Sequence, residues 1–233
     1  MPPVTFQVGA VLFDMDGTLV NSTAGVIGAW ETFAKSYPGL DLETILKGAH
    51  GVRTVENLER HCGITDKAEL EKEAARFEQA IVDCSRDNGR SGITLLPGVR
   101  AIIDELLPAK SSPSARWAIC TSATRAYASA ALEVANIETP EVFVTAEDVE
   151  KGKPSPDPYL MGAGKCGVSP SRCVVVEDAP AGVRSGKAAG CKVIALLTSH
   201  SRQQMEVTGP DFLVQDFVSM RLNEGGVEVT VHS

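Results

Sequence analysis

Short apolar runs alternate along this chain with longer stretches of helical periodicity, and the alternation predicts the architecture. Val8–Phe13, Trp117–Thr121, Val142–Thr145, Val174–Glu177, Val193–Leu197 and Phe212–Val214 are brief, apolar and rich in β-branched residues, as expected of strands buried on both faces. Between them lie helix candidates with definable ends. Asp157 ahead of Pro158 predicts a capped helix running to about Gly167, and Ala181–Ala189 stops at Gly190, which suits a C-terminal cap. Strands alternating with helices predict a parallel sheet wound on both faces, an α/β doubly wound fold. Ligands in such sheets sit beyond the carboxyl ends of the strands.

One stretch breaks the rhythm. From about Asn21 to Gly92 the chain is far longer than a crossover helix, and it carries an amphipathic pattern of its own. Leu70, Ala74, Phe77, Ile81 and Cys84 fall on one helical face, while Glu71, Lys72, Glu73, Arg76 and Glu78 cover the others. The pattern predicts an inserted helical cap at 21–92 on a core made of 1–20 and 93–233. Asp16–Ser22 and Ser91–Pro97, rich in Gly, Ser and Pro, are the expected hinges. A cap hinged over the carboxyl end of the sheet would close on substrate and exclude bulk water.

Composition narrows the class of partner. The 233 residues carry a net charge of -8, which argues against nucleic acid or an anionic membrane surface. No apolar run approaches the ~20 residues of a membrane span, and the start of the chain lacks a secretory pattern, so a cytoplasmic protein is expected. The six cysteines are scattered without a C-x-x-C pair, which predicts reduced thiols rather than structural zinc or disulfides. An acidic protein acting on an anion must make its site positive locally, with a divalent cation and one or two lysines.

The candidate chemistry lies where predicted strands end. After Val11-Leu12-Phe13 come Asp14-Met15-Asp16-Gly17-Thr18, two carboxylates at i, i+2 off one end of a sheet. An acidic turn capping the next helix would read the same way. Three further segments decide against it. Thr121 and Ser122 follow Trp117-Ala118-Ile119-Cys120 and offer a hydroxyl and turn amides for phosphate oxygens; Lys153 sits in the proline-stiffened Lys151–Asp157 loop; and Val174-Val175-Val176 runs into a second acidic pair, Glu177-Asp178. Together they supply acidic positions for Mg²⁺, a hydroxyl and a lysine for phosphoryl oxygens, a nucleophile and a proton donor.

With these four segments the chain resembles the haloacid dehalogenase superfamily phosphatases over nearly its whole length, from about Val8 to Leu222, with the insertion in the position of the family's first cap type. More narrowly, His50-Gly51-Val52-Arg53-Thr54, Gly152-Lys153-Pro154 and Glu177-Asp178-Ala179-Pro180-Ala181-Gly182 resemble the fungal glycerol-phosphate and 2-deoxyglucose-6-phosphate phosphatases. Val52 stands where glycerol-phosphate enzymes often have a bulky aromatic, which favours a roomier substrate.

The resemblance implies a mechanism. Asp14 attacks phosphorus to give an aspartyl-phosphate, and Asp16 protonates the departing alkoxide, then takes a proton from the attacking water. Mg²⁺ is expected on Asp14, the Asp16 carbonyl and Asp178, with Glu177 ordering the shell directly or through water. Thr121, the Ser122 amide and Lys153 are expected on the phosphoryl oxygens. In the cap, Arg53, His50 and Gly51 are candidates to meet substrate. The expected partner is a small phosphorylated metabolite, handled by a monomer.

Two other classes compete. A phosphomutase of the β-phosphoglucomutase type shares the core motifs but passes the phosphoryl group to a sugar hydroxyl. A non-catalytic binding module would have no reason to keep Asp14, Asp16, Lys153 and Asp178 together. Two motifs are set aside: Gly162–Cys166 imitates a nucleotide phosphate loop but lacks its first glycine and its Ser or Thr, and Asn21-Ser22-Thr23 imitates a glycosylation acceptor without a secretory signal.

Overall fold

The computed structural model describes residues 3–85, 92–107, 116–215, 219–223 and 226–231. Its centre is a six-stranded, all-parallel sheet built from β2 (Ala10–Phe13), β5 (Trp117–Cys120), β6 (Val142–Val144), β7 (Cys173–Glu177), β8 (Lys192–Leu196) and β9 (Phe212–Val214), in the order β6-β5-β2-β7-β8-β9. Side chains alternate across it. Val11 and Phe13 face one layer with α5 (Val99–Leu106) and α6 (Arg125–Val134), whereas Ala10 and Leu12 face the other with α7 (Asp157–Lys165), α8 (Pro180–Ala188) and α9 (Arg202–Glu206). Both faces are covered, which explains why the strands read as apolar runs without alternation.

The expected strand Val8–Phe13 is two strands. Val4–Val8 forms β1, which leaves the parallel sheet to pair antiparallel with β11 (Gly226–Val231), itself paired with β10 (Ser219–Asn223). The chain changes sheets at Gly9. A Cβ there would lie 2.6 Å from Val168 Cγ1, so only glycine permits the passage.

Between β3 (Val20–Asn21) and β4 (Thr94–Leu95) lie α1 (Thr23–Ser36), α2 (Leu42–Gly48), α3 (Thr54–Cys62) and α4 (Lys67–Cys84). Trp30 and Phe33 of α1 pack on Phe77 of α4, with ring centroids 4.6 and 4.9 Å apart. The expected hinge segments meet in a two-stranded ribbon, Val20 opposite Leu95 and Asn21 opposite Thr94. Ser91, the start of the second of them, lies outside the described residues.

Two local readings need correction. Asp157 is the first residue of α7 rather than its cap, and its carboxylate accepts a hydrogen bond from Ser155 Oγ instead of from the helix. Glu78, expected on a solvated face of α4, is 3% exposed. Its carboxylate is drawn inward by hydrogen-bond donors on two other elements: Oε1 accepts from Thr54 Oγ1 at 2.9 Å and from Thr124 N at 3.2 Å, and Oε2 from Thr124 Oγ1.

Candidate active site

The carboxyl end of the parallel sheet gathers Asp14 after β2, Thr121 after β5, and Glu177 with Asp178 at the end of β7. All four are at most 4% exposed. Strand register places them, since Phe13 lies beside both Ile119 and Val176. The loop ahead of α7 inserts Lys153, also fully buried. Its Nζ donates to Asp14 Oδ1 at 2.5 Å and to Glu177 Oε1 at 2.7 Å. Burial works to lower the lysine's pKa, but Asp14 and Glu177 outweigh it and the ammonium is held charged.

Glu177 is fixed on every side. Oε1 also accepts from Tyr159 Oη at 2.7 Å, and Oε2 takes the amides of Asp178 and Ala179 at 3.0 and 3.1 Å. Asp14 and Asp178 are less satisfied. Burial raises Asp14's pKa well above the ordinary carboxylate range, against the pull of Lys153 and with added repulsion from Glu177 and Asp178. Burial likewise lifts Asp178 to about 6, His50 partly opposing it. Thr18 Oγ1 reaches Asp178 Oδ1 at 3.4 Å, while Oδ2 has no well-aligned hydrogen bond, its polar neighbours being Ser199 and His50 Nε2, the latter 3.4 Å away.

These residues fit a divalent cation. Asp14, Glu177 and Asp178 offer oxygens within 4.8 Å of one another, all buried. Fully ionised, three carboxylates would exceed the one buried ammonium by two negative charges, which a divalent ion would balance. The donors are hard oxygens, and Asp178 Oδ2 is the one most in need of a partner.

Asp16 has different surroundings. Its Oδ1 accepts from Ser22 Oγ at 2.6 Å and from Tyr127 Oη at 2.8 Å, so its carboxylate is turned away from the acidic cluster toward α1 and α6. Its carbonyl oxygen lies 3.3 Å from His50 Nε2. Thr121 Oγ1 accepts from the Ala123 amide at 3.1 Å, the signature of a tight turn, and Ser122 Oγ donates to Gly51 O at 3.0 Å across the cap–core boundary. Gly51 has φ +78, and a Cβ there would stand 2.6 Å from Ala179 Cβ. Glycine thus lets the 49–52 loop sit down on the sheet's end.

A cleft runs from Asp14, Asp16, Thr121 and Ser122 up to His50, Gly51, Val52, Thr54, Asn57 and Glu78, with Trp30, Phe77 and Ile81 as its apolar wall. Arg53 is placed elsewhere. Its guanidinium donates to Glu150 O at 2.9 Å, Ala146 O at 3.0 Å and Val149 O at 2.6 Å, tying α3 to the loop after β6. Sequence reasoning missed Ser22, Tyr127, Asn57 and the inward turn of Glu78, and gave Tyr159 no role in the site. Tyr127 and Asp16 are 111 residues apart, and no local spacing announces such a pair.

The model of the haloacid dehalogenase-like hydrolases matches residues 8–190. The chain belongs to that family. It is 41% identical over 210 residues to hexitol phosphatase A of Escherichia coli, covering 84% of this chain and 93% of that one. It is 34% identical over 234 residues to glycerol-1-phosphate phosphohydrolase 1 of Saccharomyces cerevisiae, covering 97% and 89%. In fold it is similar to CbbY from Rhodobacter sphaeroides, solved with xylulose-1,5-bisphosphate, with a TM-score of 0.75 at 24% identity over 90% of this chain and 95% of that one. Among the described residues, no helix is long and apolar enough to cross a membrane.

Proposed function

We propose that the protein is a Mg²⁺-dependent phosphatase of small phosphorylated polyols or sugars, acting through an aspartyl-phosphate on Asp14. The observation that carries the choice of reaction is the cleft wall beyond the acidic cluster, formed by Glu78, Asn57 and Thr54 with the apolar Trp30, Phe77 and Ile81. A mutase must hold a second phosphate on the cap side, where these walls present Glu78 and an asparagine instead. A neutral hydroxylated leaving group suits them better. The relatives named for hexitol and glycerol phosphates point the same way.

In this reading residues 21–92 act as a cap on a core of 1–20 and 93–233, and the enzyme works as a cytoplasmic monomer. Asp14 attacks phosphorus with the carboxylate that Lys153 orients, while Lys153, Thr121 and the Ser122 amide receive the phosphoryl oxygens. Asp16 moves the proton. Its two hydrogen bonds both fall on Oδ1, and Oδ2 is the atom we assign to protonating the alkoxide and then deprotonating water. Asp14, the Asp16 carbonyl and Asp178 would hold Mg²⁺, whose chemistry there is to offset the repulsion between carboxylate and phosphate. Glu177 holds Lys153 and stands behind the ion. His50 and Gly51 meet the substrate from the cap, and Arg53 straps the cap to the core.

Phosphate release from glycerol 3-phosphate, 2-deoxyglucose 6-phosphate and hexose 6-phosphates, measured with and without trace sugar bisphosphate, tests the reading. Release is expected to vanish in EDTA and return with excess Mg²⁺. Interconversion of sugar phosphates without free phosphate would sink the hydrolase. Val52 lines the cleft, so Val52→Trp is expected to depress kcat/KM for hexose phosphates by about tenfold relative to glycerol 3-phosphate, through overpacking. An unchanged ranking would remove position 52 from the substrate wall.

A further inference from the structure

One buried polar atom of a cleft-lining residue has no use in the scheme above. Asn57, on the first turn of α3, is 6% exposed, and its Oδ1 accepts no hydrogen bond among the described residues. The orientation of the amide is fixed by what it faces. Nδ2 donates to Ala49 O at 2.9 Å, with Val52 O at 3.5 Å; both are carbonyls, so the nitrogen must face them and the oxygen must face away. The loop so held, 49–52, is the one that Ser122 anchors to the core through Gly51. Asn57 itself lines the cleft that begins at Asp14 and Asp16.

A buried amide oxygen left without a donor is destabilising, and in a substrate cleft the missing donor can come from the ligand. We propose that Asn57 Oδ1 accepts a hydrogen bond from a hydroxyl of the leaving alcohol, which makes Asn57 a specificity-determining residue for polyol and sugar phosphates. The inference rests on the phosphatase reading and deepens it. The neighbouring wall selects in the same sense. Glu78 adds a carboxylate that repels an anionic group, and Phe77 with Ile81 covers the carbon skeleton. An alkyl group placed there would leave Oδ1 desolvated and unpaired, whereas a hydroxyl satisfies it. A site built to pair a substrate hydroxyl discriminates against the analogue lacking it more strongly than an apolar pocket can.

The test compares the full-length wild type with Asn57→Leu, which keeps the branching at Cγ without polar atoms, on glycerol 3-phosphate and sorbitol 6-phosphate against propyl phosphate, which lacks the hydroxyls. The ratio of kcat/KM for a hydroxylated ester to that for propyl phosphate is expected to fall about 10- to 100-fold in the variant. Any general disturbance of the 49–52 loop divides out of that ratio, as in a double-mutant cycle. An unchanged ratio overturns the inference, whether both rates fall together or neither moves, and would mean that no substrate hydroxyl pairs with Oδ1. Absence of phosphate release from all three esters by the wild type would instead sink the phosphatase reading itself.

Discussion

Replacing Asp14 by asparagine is expected to lower phosphate release by at least about 10⁴-fold, equivalent to about 5 kcal/mol of transition-state stabilisation. The amide is neutral and a poor nucleophile, and no other carboxylate can take its place: Glu177 is committed to Lys153, Tyr159 and two backbone amides, and Asp16 is held toward Ser22 and Tyr127. Folding should not suffer. Asp14 is buried beside Glu177 and Asp178, which disfavour its charged form. The substitution therefore relieves repulsion while keeping an oxygen within reach of Lys153 Nζ. Thermal unfolding without metal should show a Tm equal to or above that of the wild type, and Mg²⁺ should raise it less than in the wild type, because one anionic ligand is gone. Dead catalysis with an intact fold separates the nucleophile from a structural carboxylate; retained activity would refute the mechanism.

The gathering of the candidate residues at the sheet's end was legible in the sequence for a physical reason, and the parts that were not have one too. A buried parallel strand is a short apolar run, and a polar residue directly after it must lie at the sheet's end. Asp14, Thr121, Glu177 and Asp178 could therefore be placed together without knowledge of the strand order. The antiparallel sheet was harder. Gly9 separates two strands that read as one, and β11, whose buried Val227, Val229 and Val231 alternate with Glu228 and Thr230, offered a period-2 signal that was passed over. The cap wall was least legible. Glu78 lies among charged residues of α4, and it is Thr54 together with Thr124, 46 residues away, that explains why it is buried. Arg53 shows the reverse. Its segment was found, but an arginine's long side chain can reach substrate or backbone carbonyls equally well, and three carbonyls of the 146–150 loop claim it.

That strap bears on how the cap closes. Arg53, Glu78 and Ser122 join the inserted helices to the core at three separate points: the loop after β6, the start of α6 and the turn after β5. Each contact lies at the end of a parallel strand or at the helix that follows. In the proposed reading these contacts would align the cleft wall with the strand ends that carry the reacting groups, and so couple specificity in the cap to chemistry in the core.

Lys153→Met is expected to be the most destabilising single change in the site. The ammonium is fully buried and bonded to two carboxylates, and removing it leaves Asp14, Glu177 and Asp178 with no buried cation among them. Breaking a buried pair by deleting one partner costs about 3–5 kcal/mol, which for a chain of this size lowers Tm by about 10 °C or more. Activity should fall at least about 10³-fold with it, since Asp14 loses its orienting contact and the phosphoryl oxygens lose a charge. Mg²⁺ separates the two effects. Added ion should recover more Tm in the variant than in the wild type, because it now offsets three carboxylates instead of three less an ammonium, yet it should not restore turnover. Lys153→Arg is not expected to rescue either property. The slot is closed, with the Tyr159 ring centroid 5.1 Å from Nζ, and a planar fork cannot reproduce the two converging bonds of a compact ammonium. An arginine variant with wild-type activity would show that any cation suffices there, and would reduce Lys153 from an oriented partner of the nucleophile to a point charge.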